Sequence, residues 1–203
     1  MPDGVVERLF DSVRNAASVR GLAPVALAGH VETFDAEATT RGAVPEMVLT
    51  PAVFDHLVES RPDRLREQIR EGEFEFLVGP IEGRFGLWIA EHEDRPDEAG
   101  LLVYTDTGVG GVAINDTQTA VAWARSRYEA ARETAEPVTL DRVDERAAGR
   151  SRGRGLSHGA ESAGVVARER RAPPRRARHA SAPHTGGDMD AFLSRSGPVG
   201  ICC

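Results

Sequence analysis

Residues 47–58 read MVLTPAVFDHLV. Met47 to Leu49 is an apolar run of the length of a short buried strand. Thr50 and Pro51 together start a helix: a hydroxyl that caps the first free N–H groups, then a ring that needs no N–H partner of its own. Val53, Phe54, Leu57 and Val58 fall on one face at helical spacing. A strand that feeds straight into an amphipathic helix is the unit of α/β and α+β folds, so the remaining segments are read around it.

Upstream, Val6, Leu9, Phe10, Val13 and Ala17 recur at helical spacing behind Asp3, which predicts a helix over 4–17. Arg20 to Val25 reads as a turn or short strand, and a second helix is expected from Pro24 to about Thr39, with Gly42 ending it. Downstream, Pro62 and Asp63 start another helix that carries Leu65 and Ile69 inward and ends at Gly72. Phe74, Phe76 and Val78 alternate as a strand broken by Gly79-Pro80, and Phe85 to Ala90 form the next. Leu101–Thr105 and Val109–Ile114 read as a hairpin turned by Asp106-Thr107-Gly108. Asn115 or Asp116 then caps a closing helix with Val121, Ala124, Tyr128 and Ala131 on one stripe and Trp123 beside it. The expected fold is α/β or α+β, a sheet of about five strands with helices packed on it.

Composition separates this part from the rest of the chain. Of the 203 residues, 40% are apolar, and Phe192 is the one aromatic residue beyond residue 145. Residues 146–203 hold ten residues from the set Ile, Leu, Val, Met, Phe, Trp, Tyr and Cys, scattered among Arg, Gly, Ser, Pro, Ala and His. Too little apolar material is present there for a core. The chain is therefore divided into a domain over 3–137 and a disordered Arg/Gly/Pro/Ser-rich tail over 138–203.

Charge divides the chain in the same way. Residues 1–145 carry 28 acidic and 14 basic side chains, whereas 146–203 carry 4 and 11, and all 25 basic residues are arginine. An acidic, lysine-free domain is what high internal salt favours, because carboxylates keep their hydration where long-range repulsion is screened. That points to a salt-loving archaeal source and a fold that depends on salt. The N-terminus has no basic flank or apolar run of a signal peptide, and no stretch of about 18 apolar residues is available to span a membrane. A cytoplasmic protein without membrane contact is expected.

Motifs for chemistry are weak. Asp106-Thr107-Gly108 matches the triplet of retropepsin-type proteases, but Thr105 precedes it and a hairpin turn wants the same residues. Gly108 to Ala113 has the spacing of a dinucleotide-binding loop, yet Val109, Val112 and Ile114 make it a strand rather than the start of a helix. His30, His56 and His92 have no histidine at ligand spacing, and the adjacent Cys202 and Cys203 lack the paired spacing of a zinc site. Neither a metal nor a cofactor is expected, and the chain is not read as an enzyme. Arg168, Arg170, Arg171, Arg175, Arg176 and Arg178 lie in a run that would bind nucleic-acid phosphates weakly and without sequence preference, since no aromatic side chain accompanies them.

Four short motifs occur together in order: Arg20-Gly-Leu-Ala-Pro-Val25, Met47-Val-Leu-Thr-Pro51, Phe85-Gly-Leu87 and Ala122-Trp-Ala124. Over about residues 3–135 the chain resembles the C-terminal effector domain of archaeal, chiefly haloarchaeal, winged-helix transcription regulators of the methanogenesis-regulator and filament-regulator type. The resemblance implies a domain that senses a small-molecule effector and pairs with a second copy, while a winged helix ahead of it reads DNA. No recognition-helix unit fits ahead of residue 3, and the family-like sequence stops near Pro137. A truncated or misassigned start, or an effector domain freed from its reader, with a shifted frame after about residue 137, is the expectation. Helix N-termini offer unpaired N–H donors, so Thr50, and Tyr104, Thr105, Asn115 and Asp116 at the hairpin and last-helix entrance, are the expected ligand contacts. The competing readings are a small cytoplasmic enzyme that uses Asp106 or another carboxylate and a nucleic-acid accessory protein that acts through the tail.

Overall fold

The computed structural model describes residues 3–26, 36–39, 42–105 and 108–155. Within them the order is α1 (Asp3–Val13), β1 (Ser18–Ala23), β2 (Glu46–Leu49), α2 (Pro51–Ser60), α3 (Pro62–Glu71), β3 (Glu75–Val78), β4 (Phe85–Glu91), β5 (Glu98–Thr105), β6 (Gly108–Asn115), α4 (Gln118–Glu133), β7 (Glu136–Pro137) and α5 (Leu140–Gly155). The strands form one mixed sheet in the order β6-β5-β4-β1-β2-β3-β7. β1 is its pivot, parallel to β2 and antiparallel to β4.

The Thr50-Pro51 junction forms as its residue types dictate. Thr50 is extended at φ −69°, ψ 156°, its hydroxyl accepts from the Val53 N–H at 3.4 Å, and Pro51 opens α2. α2 and α3 meet at Arg61, with Pro62 starting α3 and Gly72 closing it in the left-handed region at φ 67°. That conformation is cheap only for glycine.

Two apolar layers result. Leu9, Phe10 and Val13 of α1, Val53, Phe54 and Leu57 of α2, Leu65 of α3 and Val143 of α5 pack on one face of the sheet. On the other face, Ala120, Val121, Ala124 and Tyr128 of α4 cover Leu22, Val48, Leu87, Ile89 and Leu101. Arg125 ties α4 to the end of β4 through Glu91 and to the following loop through Asp97, each at 2.7 Å.

The α/β class is as expected, but the sheet has seven strands rather than about five. One addition is β1, whose Arg20 and Gly21 interrupt any apolar alternation; hydrogen-bonded neighbours on both sides make it a strand. The other is β7, two residues paired with Leu77 and Val78. Pro24 to Ala26 are not helical, Ala36 to Ala38 form one helical turn, and the rest of the expected 24–39 helix lies outside the described residues. The cap of α4 is Thr117, which accepts from the Ala120 N–H at 3.3 Å, rather than Asn115 or Asp116.

The described elements also run past the expected boundary at Pro137. Val138 donates its N–H to the Phe76 carbonyl at 2.8 Å, and α5 packs on α2 and α3 through the fully buried Val143. Arg146 pairs with Asp55, Arg66 with Asp144 at 2.8 Å, and the Arg142 guanidinium lies 5.7 Å from the Phe54 ring centre. Packing thus continues to Ala147, the helix runs on to Gly155, and the tail arginines Arg168 to Arg178 lie outside the described residues.

Candidate functional site

The sheet face beneath α1, α2 and α3 holds an apolar hollow of about 110 Å³. Glycines on its strands leave room for the side chains that line it. A Cβ on Gly21 would lie 2.8 Å from the Met47 sulfur, one on Gly86 would lie 3.0 Å from the Tyr104 hydroxyl, and one on Gly100 would lie 1.9 Å from the Trp88 ring. Side chains from neighbouring strands lie across these gaps, so Met47, Trp88, Leu102 and Tyr104 form the floor, with Phe76 beside them. Phe74 and Phe76 stack with ring centres 5.4 Å apart, which fixes the β3 side. Leu9, Val53, Leu57 and Leu65 form the roof, and Val25, 45% exposed, marks the mouth.

Three polar side chains line this hollow: Arg61, Gln68 and Tyr104. Gln68 is 4% exposed, and its Nε2 has no hydrogen-bond partner. A buried donor left unmade costs about 1–3 kcal/mol, so a group that completes it gains that much. Burial pushes the Tyr104 phenol up to about 12, which keeps it a neutral hydroxyl at physiological pH. Among the described residues the polar part of the wall is therefore Gln68 and Tyr104, with Arg61 beside them.

Of the residues expected to contact a ligand, Tyr104 alone lines the hollow. Thr50 sits next to it, but its hydroxyl is engaged with the Val53 N–H and the Pro24 carbonyl. Asn115 is 8% exposed and accepts from the Thr117 N–H at 2.8 Å, and Asp116 is exposed. Thr105 is exposed at the turn end of the β5–β6 hairpin, while Asn115 pairs with Ala99 at the opposite end. Tyr104 and Thr105 are thus a strand's length from Asn115 and Asp116. Sequence reasoning missed Gln68 and Arg61, although Gln68 stands at i+3 from Leu65 and next to Ile69 on an apolar helix face, where a polar residue needs a reason.

A second cluster closes the other end of the sheet. Glu46 of β2 accepts from the buried Tyr128 hydroxyl and from the Arg132 guanidinium at 2.9 Å. Burial opposes the charged carboxylate, but the bonds from Arg132 and Tyr128 outweigh it and hold Glu46 below the ordinary carboxylate range. Because the folded value is the lower one, this stabilisation is present above the unfolded pKa of about 4.3 and is lost as pH falls through the folded value. Glu46→Gln should therefore lower stability by about 1 kcal/mol at pH 7. Urea titrations should show that gap closing toward pH 3; a gap that stays constant would mean that the carboxylate charge plays no part.

Elsewhere His56 is exposed on α2, and burial, reinforced by Arg95, lowers the pKa of His92. Among the described residues no group of three or more His, Cys, Asp or Glu side chains converges to hold a metal ion, and no helix is long and apolar enough to cross a membrane. His30, Asp106 and Thr107 lie outside the described residues.

The architecture is a mixed α/β sheet with helices on both faces and an apolar hollow under one helical layer. The chain belongs to the family described as methanogenesis regulatory protein FilR1, middle domain, whose model matches residues 2–134. Among solved structures it is similar to that of TrmBL2, described as an archaeal chromatin protein with a novel mode of DNA binding, at TM-score 0.51 and 16% identity. The match covers 66% of this chain and 51% of that one, so the likeness is one of fold and the chain spans about half the TrmBL2 chain. No curated protein matches the sequence. The family match ends before β7 and α5, which extend the packed domain past it.

Proposed function

We propose that residues 3–155 are the sensing and pairing domain of a transcription regulator, with DNA read by a separate winged-helix module and the hollow above β1, β4 and β5 as the sensing site. The observation that carries the reading is an apolar hollow with an orphan buried donor, Gln68, inside a domain of a regulator family. A wall of apolar side chains around few polar groups is the usual make-up of a small-molecule site. The role is binding rather than catalysis, and the setting is the cytoplasm. The β6 edge, which ends the sheet among the described residues, offers main-chain groups for a second copy.

The full chain and a form ending at residue 155 should be compared on the promoter of its own gene and on scrambled DNA. Neither is expected to select the promoter, because an acidic domain repels phosphate. The full chain should add only weak, salt-labile binding through Arg168 to Arg178. Tight promoter-selective binding by the 1–155 form would overturn the reading.

A further inference from the structure

We infer that the hollow takes a small neutral carbonyl compound, a ketone or ester of a few carbons: its oxygen accepts the Gln68 Nε2–H, and its hydrocarbon body lies against Met47, Trp88 and Leu102. This names the ligand class for the sensing role proposed above and rests on it. The place of Gln68 in the chain makes its side chain a fixed donor. Its own carbonyl accepts from the Glu73 N–H at 2.9 Å where α3 closes at Gly72. Leu65, at i−3 on the same helix face, is 2% exposed, so turning Gln68 outward would uncover it. The Nε2 is therefore held inside, and among the described residues no acceptor meets it. A water molecule would need about two to four polar partners to settle there. Leu65, Phe74 and Phe76, which line the same hollow, offer it none with their side chains.

The head group follows from the donor. A carbonyl oxygen brings lone pairs alone, whereas a hydroxyl carries a hydrogen of its own against apolar walls, where an unmade bond is costly. A carboxylate would shed its hydration without a charge to replace it, because Arg61, which also lines the hollow, already has a partner. Size restricts the body. A cavity of about 150 Å³ lined by apolar side chains is enough for benzene. A hollow of about 110 Å³ therefore suits a small ring or a chain of a few carbons rather than a sugar or a nucleotide. Sugars and nucleotides would also strand several hydroxyls against Trp88, Leu102 and Phe76. Met47 lets the floor fit either a ring or a chain: its unbranched, polarisable side chain lies over Gly21 and shifts at little cost.

Cyclopentanone, methylenecyclopentane and butanoate are of similar size and differ in the head: an acceptor oxygen, a methylene group in its place, and an anion. Each would be titrated into the nitrogen-15-labelled 203-residue chain in molar potassium chloride, followed by proton–nitrogen correlation spectra. The chain has two glutamines, Gln68 and Gln118, and two asparagines, so the Gln68 side-chain NH₂ signal is identified by its loss in Gln68→Leu. Cyclopentanone should move that signal, leave Gln118 in place and bind about tenfold more tightly than either of the other two. In Gln68→Leu the ketone should fall to the affinity of methylenecyclopentane, read from the Trp88 and Leu102 backbone amides. The melting temperature of the free chain should rise at the same time, since its orphan donor is gone. Gln68→Glu keeps the shape and loses the donor, so it should also lose the preference for the ketone, without that rise. Equal binding of ketone and hydrocarbon, tighter binding of butanoate, or a Gln68→Leu variant that still prefers the ketone would overturn the carbonyl assignment while leaving the sensing hollow in place. No response of the Trp88 and Leu102 amides to any of the three would overturn both.

Discussion

Gly100→Ala should lower the unfolding free energy by about 3 kcal/mol and the melting temperature by roughly 10 °C. Gly100 and Trp88 are directly opposed across β4 and β5, and the indole lies over the glycine. A Cβ there would stand 1.9 Å from Cζ2 and 2.1 Å from Cε2 of the ring, far inside van der Waals contact. The ring is 3% exposed and has no free space to retreat into except the hollow itself. Its Nε1–H donates to the Ser12 hydroxyl at 3.0 Å, a bond that joins α1 to the sheet, and any swing of the ring breaks it inside the core. Overpacking by a methyl group costs about 1–3 kcal/mol, and a buried pair of polar groups left unpaired adds about 1–3 kcal/mol more. Gly149→Ala is the matched control, because nothing lies within 4 Å of its would-be Cβ in α5. Helix propensity should there raise stability by about 0.5–1 kcal/mol. Denaturant melts of the two variants decide the matter. A Gly100→Ala protein within about 0.5 kcal/mol of the wild type would mean the indole does not lie over the glycine.

The contrast between these two glycines shows what the sequence could and could not tell. Thr50-Pro51 is legible because capping is local: the side chain, the N–H it accepts from and the proline lie within four residues of one another. The four family-like motifs are legible as an ordered set, and the structure supplies the reason. Gly21 lies under Met47, Gly86 under Tyr104, and Phe85 packs on Trp123 with ring centres 6.3 Å apart, so the motifs meet across β1, β4 and α4. β1 is harder to read because Arg20 and Gly21 break its alternation. Its strand character comes from β2 and β4: Arg20 is in register with Glu46 on one side and with Ile89, far along the chain, on the other.

The site is less legible still. Residues that line a hollow and residues that fill a core are the same types, so Met47, Leu102 and Trp88 carry no mark in sequence that separates one role from the other. Helix N-termini draw attention to Thr50, Asn115 and Asp116, but side-chain oxygens already satisfy the first free N–H groups there. The informative residue is Gln68, a polar side chain between Leu65 and Ile69 on the inner face of α3. Periodicity assigns that position to the interior, and its Nε2 has no partner there.

Ending the chain at Pro137 should cost about 3 kcal/mol, against the neutral outcome that composition alone implies. From Ala147 onward α5 is Arg- and Gly-rich, which is why the segment resembles a solvated tail. The stretch leading into it and its first turns are different. Val138 and Val143 are 7% and 0% exposed. Burying a valine is worth about 1.5–3 kcal/mol. Removing them also uncovers α2, whose Phe54 is shielded by Arg142 and whose Asp55 is paired with Arg146, and it deletes the Val138 N–H bond to Phe76 that holds the edge of β3. The ordering entropy of a helix offsets part of this, so the net loss is smaller than the summed burial. A chain ending at residue 155 should melt with the full-length protein, whereas the chain ending at 137 should melt roughly 10 °C lower. Val143→Asp in the full chain should reproduce most of that fall, because it places an unpaired carboxylate where the valine is wholly buried. If the chain ending at 137 and the full chain melt together, α5 is not part of the fold and the boundary belongs at Pro137.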